Sequence, residues 1–177
     1  MYFLLSLRLM AGCLPLGYFN MFLYIYIMKN FKKCDGDRVD VVNHTIKILE
    51  DNPYTEIHIG TDSQNKSEYT YYAIAIAYRF GTRGVHYIYH KEKVPRIKDR
   101  FTKLFREAEL TIETAEWLTT KIPNLKVELD FDYNDDKKYF SQKLVSAVKG
   151  WAESLGYKAN IKPYNQVATK AADYQCR

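Results

Sequence analysis

Apolar and polar positions alternate along most of this chain in short runs whose period changes from helical to strand-like and back. Residues 37–51 carry Val41, Val42, Ile46, Ile48 and Leu49 near one helical stripe. Asp37 is a plausible cap, and Asp51-Asn52-Pro53 stops the helix. EIHIGTD at 56–62 alternates as a strand does. A polar break at Ser63–Ser67 separates it from Tyr69–Phe80, a second strand rich in Tyr, Ile and Ala. Gly81-Thr82-Arg83-Gly84 reads as a turn, and Val85–Val94 as a third strand closing a hairpin.

Pro95 ends that hairpin, and residues 99–120 give the clearest helix. Its apolar stripe is Phe101, Leu104, Phe105, Ala108, Ile112, Ala115 and Leu118. Lys126–Asp132 is a fourth strand, with Val127, Leu129 and Phe131 alternating against Glu128, Asp130 and Asp132. A helix over roughly 136–155, ended by Gly156, leads to a short strand at Tyr157–Ile161 and a last helix over 166–175. The order is helix, then β-β-β-α-β-α-β-α. Three adjacent strands imply an antiparallel meander, and the later alternation implies parallel strands with right-handed crossovers. One five-stranded mixed α/β sheet flanked by helices accommodates the whole.

The first 28 residues stand apart. From Leu9 to Met28 they carry no charge, a run long enough to span a bilayer, and Lys29, Lys32 and Lys33 follow. They read either as a membrane anchor or as upstream sequence placed before a true start at Met28. The second reading is preferred, because the chain from Met28 has its own helix-start signals. The globular domain is expected over 35–177.

Composition narrows the class only slightly. The net charge of +5 permits a nucleic-acid partner without demanding one. The 16 tyrosines could stack on bases, but their place in strand-like runs favours packing for any single one. Cys13, Cys34 and Cys176 are far apart, with no zinc spacing. An odd, unframed count fits a reducing cytoplasm. No phosphate-binding loop, dinucleotide glycine motif, GxSxG elbow or HExxH helix is present. His58, His86 and His90 read as ordinary strand residues.

Acidic residues at strand ends carry the chemistry. Asp62 closes the first strand; Asp130 and Asp132 close the fourth. If those strands are parallel neighbours, the carboxylates meet at the sheet edge where open α/β sheets bind ligands. Clustered carboxylates repel one another, and a divalent cation reverses that cost. Oxygen donors suit Mg²⁺ or Mn²⁺, and two such ions about 4 Å apart can drive phosphodiester hydrolysis. Singly, Asp62 could cap a turn, Asp130 and Asp132 could line a solvated edge, and Asp173 could lie near a fraying terminus. Glu107, Glu109, Glu113 and Glu116 could form the exposed side of a helix. Only the joint arrangement favours a site.

IGTDSQ at 59–64, EAELTIETAEWL at 107–118, ELDFDYN at 128–134, KP at 162–163 and ATKAAD at 168–173 resemble the ribonuclease H-like superfamily. The narrower likeness is to its YkuK-like family, from about Asp35 onward. The resemblance implies a divalent-metal-dependent nuclease, a hydrolase of nucleic acid with RNA or RNA/DNA hybrid favoured over DNA. By motif it assigns Asp62, Glu109, Asp130 and Asp173 as catalytic carboxylates and metal ligands. Asp132 is a rival to Asp130 that strand parity cannot separate. Ser63-Gln64 stands where typical ribonucleases H have glycine-serine, which leaves the hybrid substrate open. Lys66 and Lys162 are candidate phosphate contacts. The alternatives are a non-catalytic nucleic-acid-binding module on the same fold and, if residues 1–28 are an anchor, a membrane-tethered domain.

Overall fold

The computed structural model describes residues 30–136, 138–164 and 166–177. The apolar run at 1–28 lies outside them. Among the described residues, no helix is long and apolar enough to cross a membrane.

Five strands form one sheet: β1 (Glu56–Lys66), β2 (Tyr69–Arg79), β3 (Val85–Pro95), β4 (Glu128–Asn134) and β5 (Lys158–Lys162). Their order is β3-β2-β1-β4-β5. β1–β2 and β2–β3 pair antiparallel; β1–β4 and β4–β5 pair parallel. This is the mixed sheet expected from the element order. The helices are α1 (Val41–Asp51), α2 (Arg100–Lys121), α3 (Gln142–Ser154) and α4 (Val167–Cys176).

Several boundaries differ from the sequence reading. Helix α1 begins after Asp40, not Asp37, because the Asp40 carboxylate accepts the Asn43 amide at 2.8 Å. β1 runs straight through the polar Ser63–Lys66 stretch, since each of those residues has a partner on β2. Pairing overrides weak local strand preference there. β4 gains Tyr133 and Asn134, and α3 starts only at Gln142, the Ser141 hydroxyl being turned back to accept the Asn134 amide. Phe101, counted in the α2 stripe, is 46 % exposed at the first turn.

Ile57, Ile59, Tyr72, Ile74, Ile76 and Leu129 point to one face, where α2 and α3 cover them with Leu110, Ile112, Leu118, Leu144 and Val148. The opposite face carries small residues on β2, Ala73 and Ala75, against Ala171, Ala172 and Cys176 of α4. Small side chains on both partners let α4 lie close to the sheet. Gly60 marks the closest approach: a Cβ there would sit 2.9 Å from Thr169 Cγ2 and N, and 3.0 Å from the Asp130 carbonyl oxygen. Two of those atoms are backbone, so Gly60→Ala must push α4 off the sheet. We expect a loss of at least about 1–3 kcal/mol in urea unfolding; an unchanged midpoint would show that α4 docks more loosely.

Across the hairpin from that helix, His44 of α1 and His86 of β3 face each other, Nε2 to Nε2 at 2.9 Å. Only one of the two facing nitrogens can carry a proton in that contact, so it excludes a doubly protonated pair. Burial, then His86, Lys33 and Lys47, push the His44 pKa down to about 4. Between about pH 6.5 and 4 the unfolded chain therefore binds a proton that the fold refuses, and stability is lost as pH falls through that window. The cost is at most about 3 kcal/mol, less where solvent reaches the pair. Replacing His44 by Gln should flatten this part of the acid limb in urea midpoints at pH 7 and 4.5; parallel curves would sink the assignment.

Candidate metal centre

The parallel register sets His58, Ile59 and Gly60 of β1 beside Glu128, Leu129 and Asp130 of β4. Beyond this register β4 parts from β1, which runs on beside β2; Asp132 and Asp173 of α4 both lie near enough to Asp62 to act on its charge. Asp62 is partly buried, and its pKa is raised to about 6. Burial is the largest cause, followed, among the charges that raise it, by Asp173 and Asp132. The Ser63 amide and the Lys103 ammonium act in the opposite sense.

The helical member of the group is Glu107. It is only 4 % exposed, and the Ser63 hydroxyl donates to its Oε1. Burial, opposed by that hydrogen bond and reinforced by Asp62 and Asp132, holds its pKa well above the usual carboxylate range. This corrects the reading of Glu107 as part of an exposed helix side. The signal was available: Glu107, Thr111, Thr114 and Leu118 follow helical spacing, and all four are buried. A carboxylate on a buried stripe with no cation of its own is a functional signal.

Glu109, the helix residue that the motif singles out, lies elsewhere. It pairs with Arg106 at 3.3 Å and lines a cavity of about 500 Å³ with Tyr72, Glu92, Phe101 and Phe105. Two residues along a helix amount to about 200°, so Glu107 and Glu109 leave α2 on different sides.

Asp130 and Asp132 also separate. Asp130 is fully buried, and both its oxygens are spent within the fold. Oδ1 meets His58 Nδ1 at 3.1 Å and Asn160 Nδ2 at 3.0 Å. Oδ2 accepts the amides of Val167 and Ala168, at 2.7 and 2.8 Å. Those are the first amides of α4, where a carboxylate also complements the helix dipole. Desolvation alone would lower the His58 pKa, but the Asp130 hydrogen bond and nearby acidic charges raise it on balance. Asp130 thus anchors α4, while Asp132 faces the Asp62 edge and is ion-paired with Lys162.

Cations already balance part of this acid. Lys162 sits on Asp132, Arg177 on Asp173, and the Lys103 ammonium lies 3.3 Å from the Ser63 carbonyl oxygen. Among the described residues, no group of three or more His, Cys, Asp or Glu side chains is already disposed to hold a metal ion. The donor set nevertheless suits a hard divalent cation: oxygens only, two of them on carboxyls whose proton affinity is raised by burial and then by neighbouring acids.

No curated protein matches the chain. A family model described as Ribonuclease H-like does match, over residues 38–177. That span contains the whole sheet, all four described helices and every acidic residue considered above, and the chain belongs to the ribonuclease H-like family.

Proposed function

We propose that the protein is a divalent-metal-dependent nuclease that hydrolyses phosphodiester bonds, with Asp62, Glu107, Asp132 and Asp173 as its carboxylates. The observation that carries this reading is that acids from two parallel strands and two helices act on one another's charge: Asp173 and Asp132 on Asp62, and Asp62 and Asp132 on Glu107. Compared with the motif assignment, Asp62 and Asp173 keep their roles, Glu107 takes the place of Glu109, and Asp132 that of Asp130. The narrower likeness to the YkuK-like group is part of this proposal. So is a cytoplasmic setting, which fits the free thiols of Cys34 and Cys176. The domain would run from about residue 35 to 177.

Mg²⁺ or Mn²⁺ held by these carboxylates would polarise the attacking water and stabilise the leaving oxygen. The chain's own groups prepare the site. Ser63 holds the Glu107 carboxyl by donating its hydroxyl to Oε1. Lys103 holds a positive charge beside Glu107 and Asp62, available to a non-bridging phosphate oxygen. With a bound cation supplying the counter-charge, Lys162 and Arg177, now paired with Asp132 and Asp173, would be available to phosphates.

A second reading is a nucleic-acid-binding module without turnover. The pairing of Lys162 with Asp132 and of Arg177 with Asp173 favours it, since those acids are already neutralised without metal. Incubating the full chain with labelled single-stranded RNA, DNA and RNA/DNA hybrid in Mg²⁺, Mn²⁺ or EDTA separates the two. Metal-dependent cutting that Asp62→Asn abolishes supports the nuclease; binding with no cutting under any ion supports the module.

A further inference from the structure

The face of the sheet that carries Asp62 continues well past the site. Residues directly opposite one another on paired strands share a face. Asp62, Ala73 and Lys91 therefore form one cross-strand row. The next row on that face is Gln64, Tyr71 and Lys93; the one after is Lys66, Tyr69 and Pro95. Helix α4 ends over the first row, where the Cys176 thiol donates to the Asp62 carbonyl oxygen at 3.2 Å. Beyond that point Gln64, Lys66 and Lys93 are exposed, and so is Tyr69, at 39 %.

We propose that these two rows are a platform for single-stranded nucleic acid, with bases stacked on Tyr71 and Tyr69 and phosphates met by Lys93, Lys91 and Lys66, feeding the strand to the Asp62 edge. The platform's position rests on the nuclease reading; its binding does not.

The composition argues for this occupant over a protein. An aromatic pair interleaved with lysines offers flat π-faces and positive charge together, the combination that holds single strands without reading sequence. The Lys93 ammonium lies 3.6 Å from the Tyr69 ring centroid and 5.7 Å from that of Tyr71. Each ring is thus presented on the side where a cation waits, and a base arriving on Tyr69 would turn that cation toward its own phosphate. At the boundary the Lys66 ammonium donates a hydrogen bond to the Arg177 carbonyl oxygen, while the Arg177 guanidinium is paired with Asp173.

Spacing selects the form of the nucleic acid. Successive rows on one face of a strand are about 6.8 Å apart. That is twice the roughly 3.4 Å rise along one strand of a duplex. A stretched strand with splayed bases matches the rows, whereas paired bases hide the faces that tyrosines need.

The test is fluorescence anisotropy of the full chain in EDTA, where nothing is cut, with a labelled 12-nucleotide single-stranded RNA, its DNA equivalent and the matching duplexes. Single strands of either sugar should bind more tightly than duplex. Tyr69→Ala and Tyr71→Ala should each weaken single-strand binding about 5- to 150-fold. Lys93→Ala should lower the salt slope of log K by about 0.7, one phosphate contact. Because Tyr71 is half-buried, circular dichroism melts accompany each variant, and exposed Tyr69 and Lys93 decide the matter if Tyr71→Ala unfolds. Folded Tyr69→Ala and Lys93→Ala variants that bind like the parent would overturn the platform, as would a duplex preference. Tyrosine-dependent binding in a chain that never cuts keeps the platform and removes the nuclease; cutting with tyrosine-independent binding does the reverse.

Discussion

Asp62→Asn is expected to lower metal-dependent cleavage by about a hundred- to a thousandfold, the scale of losing a group that acts mainly in the transition state, while leaving the metal-free fold as stable or more stable. The two effects have one cause. Asp62 is held close to Asp173 and Asp132 in a partly dry site, so its charge is costly until a cation arrives. With a folded pKa of about 6 against an ordinary 3.8, the fold binds a proton more readily than the unfolded chain does between those values. The penalty is therefore full above about pH 6 and vanishes below about pH 4. It amounts to at most about 3 kcal/mol. The stability gain of Asp62→Asn should accordingly be largest at neutral pH and close toward pH 4. Metal at a hundred times its dissociation constant should stabilise the parent by about 2.7 kcal/mol and the variant by far less. Glu107→Gln should behave in the same way, and Glu109→Gln should keep both activity and metal response. Loss of metal response in Glu109→Gln, with Glu107→Gln unaffected, would return the helix role to Glu109. Denaturant titrations with Mn²⁺ and EDTA provide the comparison.

Asp130→Ala should be among the most damaging single changes in the domain, for a reason that is not catalytic. It strips partners from His58, Asn160 and the first two amides of α4 at once, all in a fully buried place. Leaving such groups unpaired costs about 3–5 kcal/mol when the lost partner is a buried charge. Asp132→Ala, by contrast, breaks a half-exposed ion pair with Lys162, worth about 1 kcal/mol or less, and should cost metal response instead of fold. Urea unfolding of the two variants side by side distinguishes the roles. An Asp130→Ala protein that is fully stable but metal-blind would make Asp130 a ligand after all.

Much of the architecture was legible in the chain. The period-2 runs, the Gly81–Gly84 turn and the long α2 stripe determined the elements, and their order implied a mixed sheet; that β1 and β4 are neighbours came from the pairing itself. Asp62, Asp132 and Asp173 were among the acids that the strand runs and the motif singled out as candidates, although Asp62 lies inside β1 and not at its end. What escaped was any property set by contact across distance. β1 extends through Ser63–Lys66 because β2 pairs with it, which no local preference announces. Asp130 and Asp132 have the same strand parity, and only the docking of α4 separates them by placing its first amides on one carboxylate. Glu107 and Glu109 are both acids on an amphipathic helix, and only the depth to which α2 sinks against β1 leaves one of them buried on Ser63. Periodicity reports which way a side chain leaves its own element; what it meets there is decided by the packing of another.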